Sequence, residues 1–224
     1  RSSDTLFLKE QIMSLRTNLV TTALVVMLAA LLAGCGGGAA APTATPAGPA
    51  EPTATPDPLA GWVAFTAPDG SFTVRLPAEP KVQTETVPTE AGDIAVAMYL
   101  VESGDRTVVV SHNGFPASVA DVIASGDDAF VQGLLDNSRD GAIANVSGTL
   151  QDEKQITVGG FPGREFTFNI DSGSSPTGSA ITGSARVVLV KDRLYQLINL
   201  TTTDETSPGA VQAFFDSFQL TASQ

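Results

Sequence analysis

The feature that most constrains this chain of 224 residues is an apolar run at positions 19–33 that ends just before a cysteine. Arg16 precedes the run, small side chains close it, and Cys35 is the only cysteine in the sequence. A basic start, an apolar core of about 7–15 residues and small residues at the end are typical of a secretory signal. The pattern therefore predicts that residues 1–34 are a signal peptide that directs export and is then removed.

The residues that end this segment resemble the lipobox of bacterial lipoproteins: Leu32, Ala33, Gly34 and Cys35. The resemblance implies that Cys35 carries a diacylglyceryl group on its sulfur and becomes the N-terminus after cleavage. Two or more acyl chains attach a protein stably to a membrane, whereas one chain is marginal. We therefore expect a chain anchored in the cell envelope, on the outer face of the cytoplasmic membrane or in the outer membrane, with its domain outside the cytoplasm.

Two further points concern the same segment. A membrane-spanning helix needs about 20 apolar residues, a length that residues 19–38 reach only by including glycines, and the lone cysteine favours the signal peptide. Met13 would be a natural start for such a signal. We therefore expect residues 1–12 to be an over-extension of the reading frame.

The net charge of the chain argues against some classes of binding partner. From Cys35 onward the chain has 9 basic and 22 acidic residues, a net charge of −13. A surface this acidic argues against binding nucleic acid or anionic lipid headgroups, because their phosphates are repelled. A lipid-modified Cys35 leaves no thiol for a disulfide, so a hydrophobic core has to hold the domain together. We expect no cofactor.

Residues 35–61 predict a disordered linker. The sequence Pro-Thr-Ala-Thr-Pro occurs at 42–46 and again at 52–56. Such a segment lacks the apolar residues that would offset the entropy lost on ordering. Proline favours an extended polyproline-II chain of about 3.1 Å per residue, so the linker would reach roughly 75 Å from the membrane.

Residues 62–220 predict an α+β domain built on a single antiparallel sheet of six to eight strands layered with helices. Residues 94–101 are apolar on both faces, which predicts a central strand covered on both sides. The polar segment 81–87 predicts an edge strand. Residues 185–190 and 194–200 flank a short polar turn and predict a hairpin.

Two helical segments are expected. Residues 118–137 predict a helix that is broken near Gly126. Ser207 is placed to cap a second helix that begins at Pro208. Apolar residues then recur at the spacing of one helix face and predict core packing: Val211, Phe214, Phe215 and Phe218.

Three parts of the domain resemble the PsbP-like fold, which occurs in the photosystem II extrinsic protein and in many bacterial lipoproteins. They are the opening aromatic and Pro-Asp-Gly pattern of 62–77, the segments 160–166 and 186–197, and the closing 214–220. The resemblance implies the fold and brings no catalytic set. The photosynthetic members assist retention of manganese and calcium, but none of their metal-binding residues can be matched in this sequence.

One segment is similar to the first half of a calcium loop, in which oxygen ligands alternate along the chain: Asp136, Ser138 and Asp140. The twelfth position of such a loop holds Ser147 where a bidentate carboxylate belongs, and Arg139 places a positive charge inside the loop. A helix ending in a polar turn explains the same residues. We therefore expect no metal site, and Asp136, Ser138 and Asp140 are candidate ligands only for the alternative in which the domain binds a divalent cation.

Candidate catalytic residues are few. His112 is the only histidine, and a catalytic histidine needs a nucleophile and an orienting acid, whereas the sequence has no G-x-S-x-G segment. A polar histidine at the end of a strand is the favoured interpretation. The acidic pairs at 127–128, 152–153 and 204–205 place neighbouring side chains on opposite faces if they lie on strands, so we expect solvated carboxylates.

Three arginines could form an anion site if they cluster with Tyr195: Arg164, Arg186 and Arg193. On so acidic a chain, pairing with Asp and Glu is favoured instead.

The sequence therefore leads to the hypothesis of a membrane-anchored, non-catalytic lipoprotein. Its domain would bind or stabilise another protein or complex of the cell envelope. The alternative is a module that binds a small molecule or a divalent cation. An envelope hydrolase that uses His112 is a third hypothesis.

Overall fold

The computed structural model describes residues 57–89, 92–175, 178–202 and 208–221. The strands in these ranges are β1 (Val63–Thr66), β2 (Phe72–Leu76), β3 (Lys81–Thr89), β4 (Gly92–Ser103), β5 (Arg106–Gly114), β6 (Thr149–Val158), β7 (Phe161–Ile170), β8 (Ile181–Val190), β9 (Arg193–Thr202) and β10 (Gln219–Leu220). The helices are α1 (Ala117–Ala124), α2 (Asp128–Asn145) and α3 (Pro208–Asp216). Among the described residues, no helix is long and apolar enough to cross a membrane.

The strands form two antiparallel sheets. Seven strands follow the order β3-β4-β5-β9-β8-β7-β6, and three more follow the order β1-β2-β10. The expected α+β class, with antiparallel strands and helices in layers, is confirmed. The expected single sheet divides in two, because the alternating apolar residues of β2 pack face-on against the large sheet instead of extending it: Phe72, Val74 and Leu76 are all buried.

The centre of the large sheet is not where the sequence predicted it. Residues 94–101 lie in β4, which is second from the edge. The only buried residues of β4 are Tyr99 and Val101, and both point to the same face of the sheet. The strand buried on both faces is β8, from Gly183 to Val190. The sequence did not predict this for β8, because the polar residues Ser184 and Arg186 interrupt the continuous apolar run that is typical of a strand buried on both faces.

Each face of the large sheet has its own hydrophobic cluster. One cluster joins Tyr99 and Tyr195 of the sheet to Phe72 of the small sheet and Phe214 of α3. The other places Leu135 of α2 against β7 and β8 through a second group of buried side chains: Phe166, Phe168, Ala185 and Val187. The predicted apolar face of α3 is confirmed as core for Val211, Phe214 and Phe215, which are buried. Phe218 is buried too, but it lies beyond the end of the helix at Asp216.

The mid-chain helical segment is broken where the sequence predicted. Gly126 has a φ of +76°, which ends α1, and Asp127 accepts a hydrogen bond from the backbone N–H of Phe130 and so caps α2. The second helix then continues beyond the expected end to Asn145. Ser207, the expected cap of α3, lies outside the described residues.

The compact unit begins earlier than expected. It extends from Asp57, and Leu59 is only 2% exposed within the hydrophobic cluster. Arg75 holds this entry segment by donating to the Asp57 carboxylate at 2.9 Å and to the Leu59 carbonyl at 2.5 Å. A linker that extends to residue 61 is therefore too long by a few residues. The sequence did not indicate this, because Leu59 is an isolated apolar residue in a proline-rich segment.

Candidate functional site

One half of the large sheet carries apolar side chains that no core cluster includes. The strand register sets Leu100 opposite Val109, Val109 opposite Ile198, and Ile198 opposite Ala185, so these side chains share the face on which α2 lies. Helix α2 packs on β7 and β8, at the far side of the sheet from β4. We call the half-buried side chains on this side the open face: Ile94, Val96, Met98, Leu100 and Val109.

The open face is bordered by an exposed edge. β3 is the outermost strand, and its residues 81–86 are all exposed. The register places Glu85 beside Val96 and Lys81 beside Leu100, and the Lys81 ammonium lies 3.0 Å from the Glu102 carboxylate. An apolar surface next to an edge strand is suited to contact with another polypeptide, through side chains and strand pairing together.

His112 lies near the end of β5 in an aromatic cluster, with its side chain 12% exposed. Its Nε2 is 3.5 Å from the Tyr99 hydroxyl and 3.8 Å from the Asp69 carboxylate, and the ring edge of Phe72 lies nearby. Burial lowers the pKa of His112 below its ordinary value, although Asp69 acts in the opposite direction. The imidazole is therefore neutral at neutral pH.

Asp69 connects this cluster to the β8–β9 hairpin. Arg193 donates to the Asp69 carboxylate at 2.6 Å, and the backbone N–H of Ser71 donates to it at 3.1 Å. Partial burial works against ionisation, but the hydrogen bonds from Ser71 and Arg193 outweigh it and hold the pKa of Asp69 below its usual value. These contacts fix the turn that holds Asp69, between β1 and β2, on the large sheet.

The segment that resembled a calcium loop is helical. Residues 136–143 lie within α2, where side chains two positions apart point about 200° apart, so Asp136, Ser138 and Asp140 do not converge. Asp136 accepts from Arg164 at 3.0 Å, and Asp140 accepts from Arg139 at 2.8 Å. In the part of the chain that is described, no three His, Cys, Asp or Glu side chains lie close enough together to hold a metal ion.

The three arginines of the terminal strands are separated and each pairs with carboxylates, as favoured above. Arg164 contacts Glu153 at 3.1 Å on the α2 side of the sheet. Arg186, only 8% exposed, donates to Glu165 at 2.8 Å and to the carbonyl of Phe215 at 2.8 Å on the opposite face. These pairs tie helices to the sheet and do not form an anion site.

Sequence reasoning missed Arg106. Its guanidinium lies 5.5 Å from the centre of the Trp62 ring, and no described residue forms an ion pair with it. Burial lowers the pKa of Arg106. Arg106 and Trp62 line a small cavity of about 230 Å³, although they are far apart in sequence, so no local pattern connects them.

The remaining predicted residues have simple outcomes. Of the acidic pairs, Asp127 caps α2 and Glu153 pairs with Arg139 at 2.6 Å, whereas residues 204–205 lie outside the described residues. The lipobox and Cys35 also lie outside them.

No protein-family model matches this chain, and no curated protein matches it in sequence. Several solved structures are similar in fold. Cyanobacterial PsbP from Synechocystis is 12% identical with a TM-score of 0.42, over 71% of this chain and 92% of that one. LpqN from Mycobacterium tuberculosis, described as involved in cell envelope biogenesis, is 16% identical with a TM-score of 0.40, over 71% of this chain and 90% of that one. A protein from Bacteroides thetaiotaomicron is 12% identical with a TM-score of 0.41, over 71% of this chain and 48% of that one.

Proposed function

We propose that this chain is a lipid-anchored protein of the cell envelope whose domain binds and stabilises another envelope protein without catalysing a reaction. The observation that carries the proposal is the open face, an apolar row on β4 and β5 that lies outside both core clusters. Contiguous apolar surface beside an exposed edge strand marks interaction sites on soluble domains. The sequence pattern that ends at Cys35 and resembles a signal peptide with a lipobox supports the anchor.

The charge around the open face indicates the chemistry of the partner. Glu85 and Glu102 stand on the same side of β3 and β4 as the apolar row, with Lys81 between them and paired to Glu102. Two copies of a chain with a net charge of −13 after residue 34 repel each other. The favoured partner is therefore a different protein, with an apolar patch flanked by basic residues.

The surroundings of His112 support a role other than catalysis. Its neighbours are Tyr99, Asp69 and aromatic rings, and Asp69 is engaged by Arg193. A general base has to reach a nucleophile or a substrate proton, whereas these contacts fasten a turn to the sheet. Turnover of any substrate at a rate that His112→Ala abolishes would overturn this part of the proposal.

Site-specific photo-cross-linking in native membranes tests the protein partner. A photoreactive phenylalanine analogue replaces Met98 on the open face, and the matched control replaces Leu150, an apolar side chain that is 41% exposed on β6 at the opposite edge of the same sheet. We expect one discrete adduct from position 98 and none from position 150, with mass spectrometry identifying the partner. The same weak ladder from both positions would refute the proposal.

A charge placed on the open face gives a second test. Met98→Glu should reduce co-purification of the cross-linked partner at least about tenfold, because burying an unpaired carboxylate is unfavourable. Circular dichroism of the variant should stay unchanged, since Met98 belongs to neither core cluster. The anchor is tested separately: Cys35→Ser should abolish metabolic labelling with a palmitate analogue and release the protein from membranes.

A further inference from the structure

Helix α1 is loosely held in the structure. It contains apolar residues along its length, yet none of its residues is buried. The helix forms one wall of a cleft of about 550 Å³ whose other walls come from α2 and from the ends of β7 and β8. The side chains that form the walls are apolar: Ala120, Ile123, Val131, Phe161, Pro162 and Leu189.

The floor of the cleft is solid core. Leu189 and Val131 belong to the hydrophobic cluster on this face and are buried. Sites for small molecules occupy about 300–1,000 Å³ and are lined mainly by apolar side chains with a few polar groups. Apolar side chains that line a cleft favour contact with an apolar group, because both surfaces are then removed from water. The cleft is thus suited to an apolar group. It lies on the same face of the large sheet as the open face, but beside β7 and β8 instead of β4 and β5.

The rim of the cleft carries charges of both signs. Asp121 of α1 and the neighbours Lys191 and Asp192 of the β8–β9 turn line the mouth, and all three are exposed. Two carboxylates against one ammonium repel an anionic headgroup. Hydroxyl groups can accept a hydrogen bond from Lys191 and donate to the carboxylates at the same time. The rim therefore fits an uncharged, hydroxyl-bearing head.

The helix is tethered at both ends in a way that permits movement. At its start, the Phe115 N–H donates to the Asp192 carbonyl at 2.7 Å, which fixes the entry of α1 to the rim. At its end, Gly126 adopts a φ of +76°, a conformation that glycine enters without strain. Helix α1 has few buried contacts between these two points, so it can move away from the cleft at a low cost in free energy.

We propose that this cleft binds a single acyl or alkyl chain with an uncharged, hydroxyl-bearing head, and that α1 is its movable cover. The apolar chain would lie against Leu189 and Val131, and the head would stay at the rim beside Lys191. This activity is additional to the proposed protein contact and uses a different part of the large sheet.

Photoaffinity labelling of the full chain in membranes tests the proposal. The probe is a monolauroylglycerol analogue that carries a diazirine in its chain, and labelled residues are mapped by mass spectrometry. We expect labels on α1 and near Leu189, with at least tenfold suppression by excess monolauroylglycerol and much less by laurate, whose carboxylate meets the acidic rim. Equal suppression by laurate, or labels spread over the domain without saturation, would overturn the assignment.

A pair of matched variants locates the site. Ala120→Trp fills the cleft from the side of α1 and should reduce labelling at least about tenfold. Ala129→Trp adds the same side chain at an exposed position of α2 that does not line the cleft, and should leave labelling unchanged. Equal labelling of the two variants would contradict the proposal, and the competition experiment on the unmodified chain decides it even if Ala120→Trp folds poorly.

Discussion

Replacing Gly183 by alanine should destabilise the domain, because an aromatic ring already occupies the space of the new side chain. Gly183 of β8 lies directly opposite Phe168 of β7, and the ring covers the glycine. A Cβ placed on Gly183 would lie 2.6 Å from Cε1 of Phe168 and closer still to two other atoms of the ring. Aromatic cover of a strand glycine stabilises sheets, and it leaves no room for a methyl group.

The size of the effect follows from how tightly the ring is held. Phe168 is 1% exposed, and a Cβ at Gly148 would lie only 3.0 Å from its Cδ2, so the ring is confined near Gly148 as well. Overpacking a core costs about 1–3 kcal/mol, and removing a buried phenylalanine costs about 3–5 kcal/mol. We expect a loss of about 2–4 kcal/mol, a large part of the 5–15 kcal/mol that is typical of a domain.

Urea unfolding followed by circular dichroism measures this change. The matched control is Gly133→Ala in α2, where a Cβ would meet nothing within 4 Å. That substitution should stabilise the protein by about 0.5–1 kcal/mol, since alanine loses less conformational entropy in a helix than glycine. Two glycine-to-alanine changes are thus expected to have opposite signs, at an unchanged denaturant slope.

A double-mutant cycle identifies the clash itself. As a single change, Phe168→Leu should lower stability. In the Gly183→Ala background the same change should restore part of the lost stability, which gives a coupling free energy of at least about 1 kcal/mol. If Gly183→Ala lies within about 0.5 kcal/mol of the parent, or if the two changes are additive, the ring does not occupy the space above Gly183 and the reasoning is refuted.

Three further results are expected. Burial lowers the pKa of His112 in the folded state from its ordinary value of 6.5, so the unfolded chain binds the proton more readily. The contribution of His112 to stability is therefore full above about pH 6.5 and is lost as the pH falls through the lowered folded-state pKa. His112→Gln should flatten the acid side of a plot of Tm against pH. Arg186→Met should cost about 3 kcal/mol in urea unfolding, because it leaves the buried Phe215 carbonyl without its donor and leaves Glu165 paired with Lys154 alone. By contrast, Arg106→Met breaks no ion pair among the described residues and should change stability by less than about 1 kcal/mol. Leu59→Ala should lower the free energy of unfolding by about 2–4 kcal/mol. A change near zero would show that Leu59 belongs to the linker and not to the folded domain.

Local patterns predicted the elements that depend on near neighbours in sequence. The apolar spacing of Val211 and Phe214 specified the buried face of α3, and the two apolar runs around Lys191 specified a hairpin whose turn residue has a φ of +54°. The exposed edge position of β3 also followed from its polar composition. In each of these cases the pattern that predicts the element lies within a short stretch of the sequence.

Patterns failed where long-range packing decides. Residues 94–101 are apolar on both faces, yet α2 covers β7 and β8 instead of β4, which leaves the open face unburied. Conversely, β8 is buried on both faces although it contains Arg186, because Glu165 and the Phe215 carbonyl satisfy the guanidinium. Neither partner is near Arg186 in sequence, so the compensation could not be foreseen.

The candidate sites were harder to predict than the fold. Alternating oxygens at Asp136 and Asp140 are equally compatible with a loop and with a helix, and the helix prevailed because Asp127 caps it and Leu135 buries against the sheet. The open face and the cleft beside α1 depend on which strands a helix happens to cover, and one sequence contains no local signal for that choice.

The small sheet determines when the domain can be completed. β10 pairs with β2, and the Arg75 N–H donates to the Ser217 hydroxyl at 3.0 Å across 142 residues of sequence. Contacts so distant along the chain form slowly, because a long loop must close before they contribute. Phe72 therefore remains without its Phe218 neighbour until nearly the whole domain has been synthesised. A stop codon just before Phe218 would remove only the last few residues of the domain, yet it would deprive the folding chain of its final, closing step.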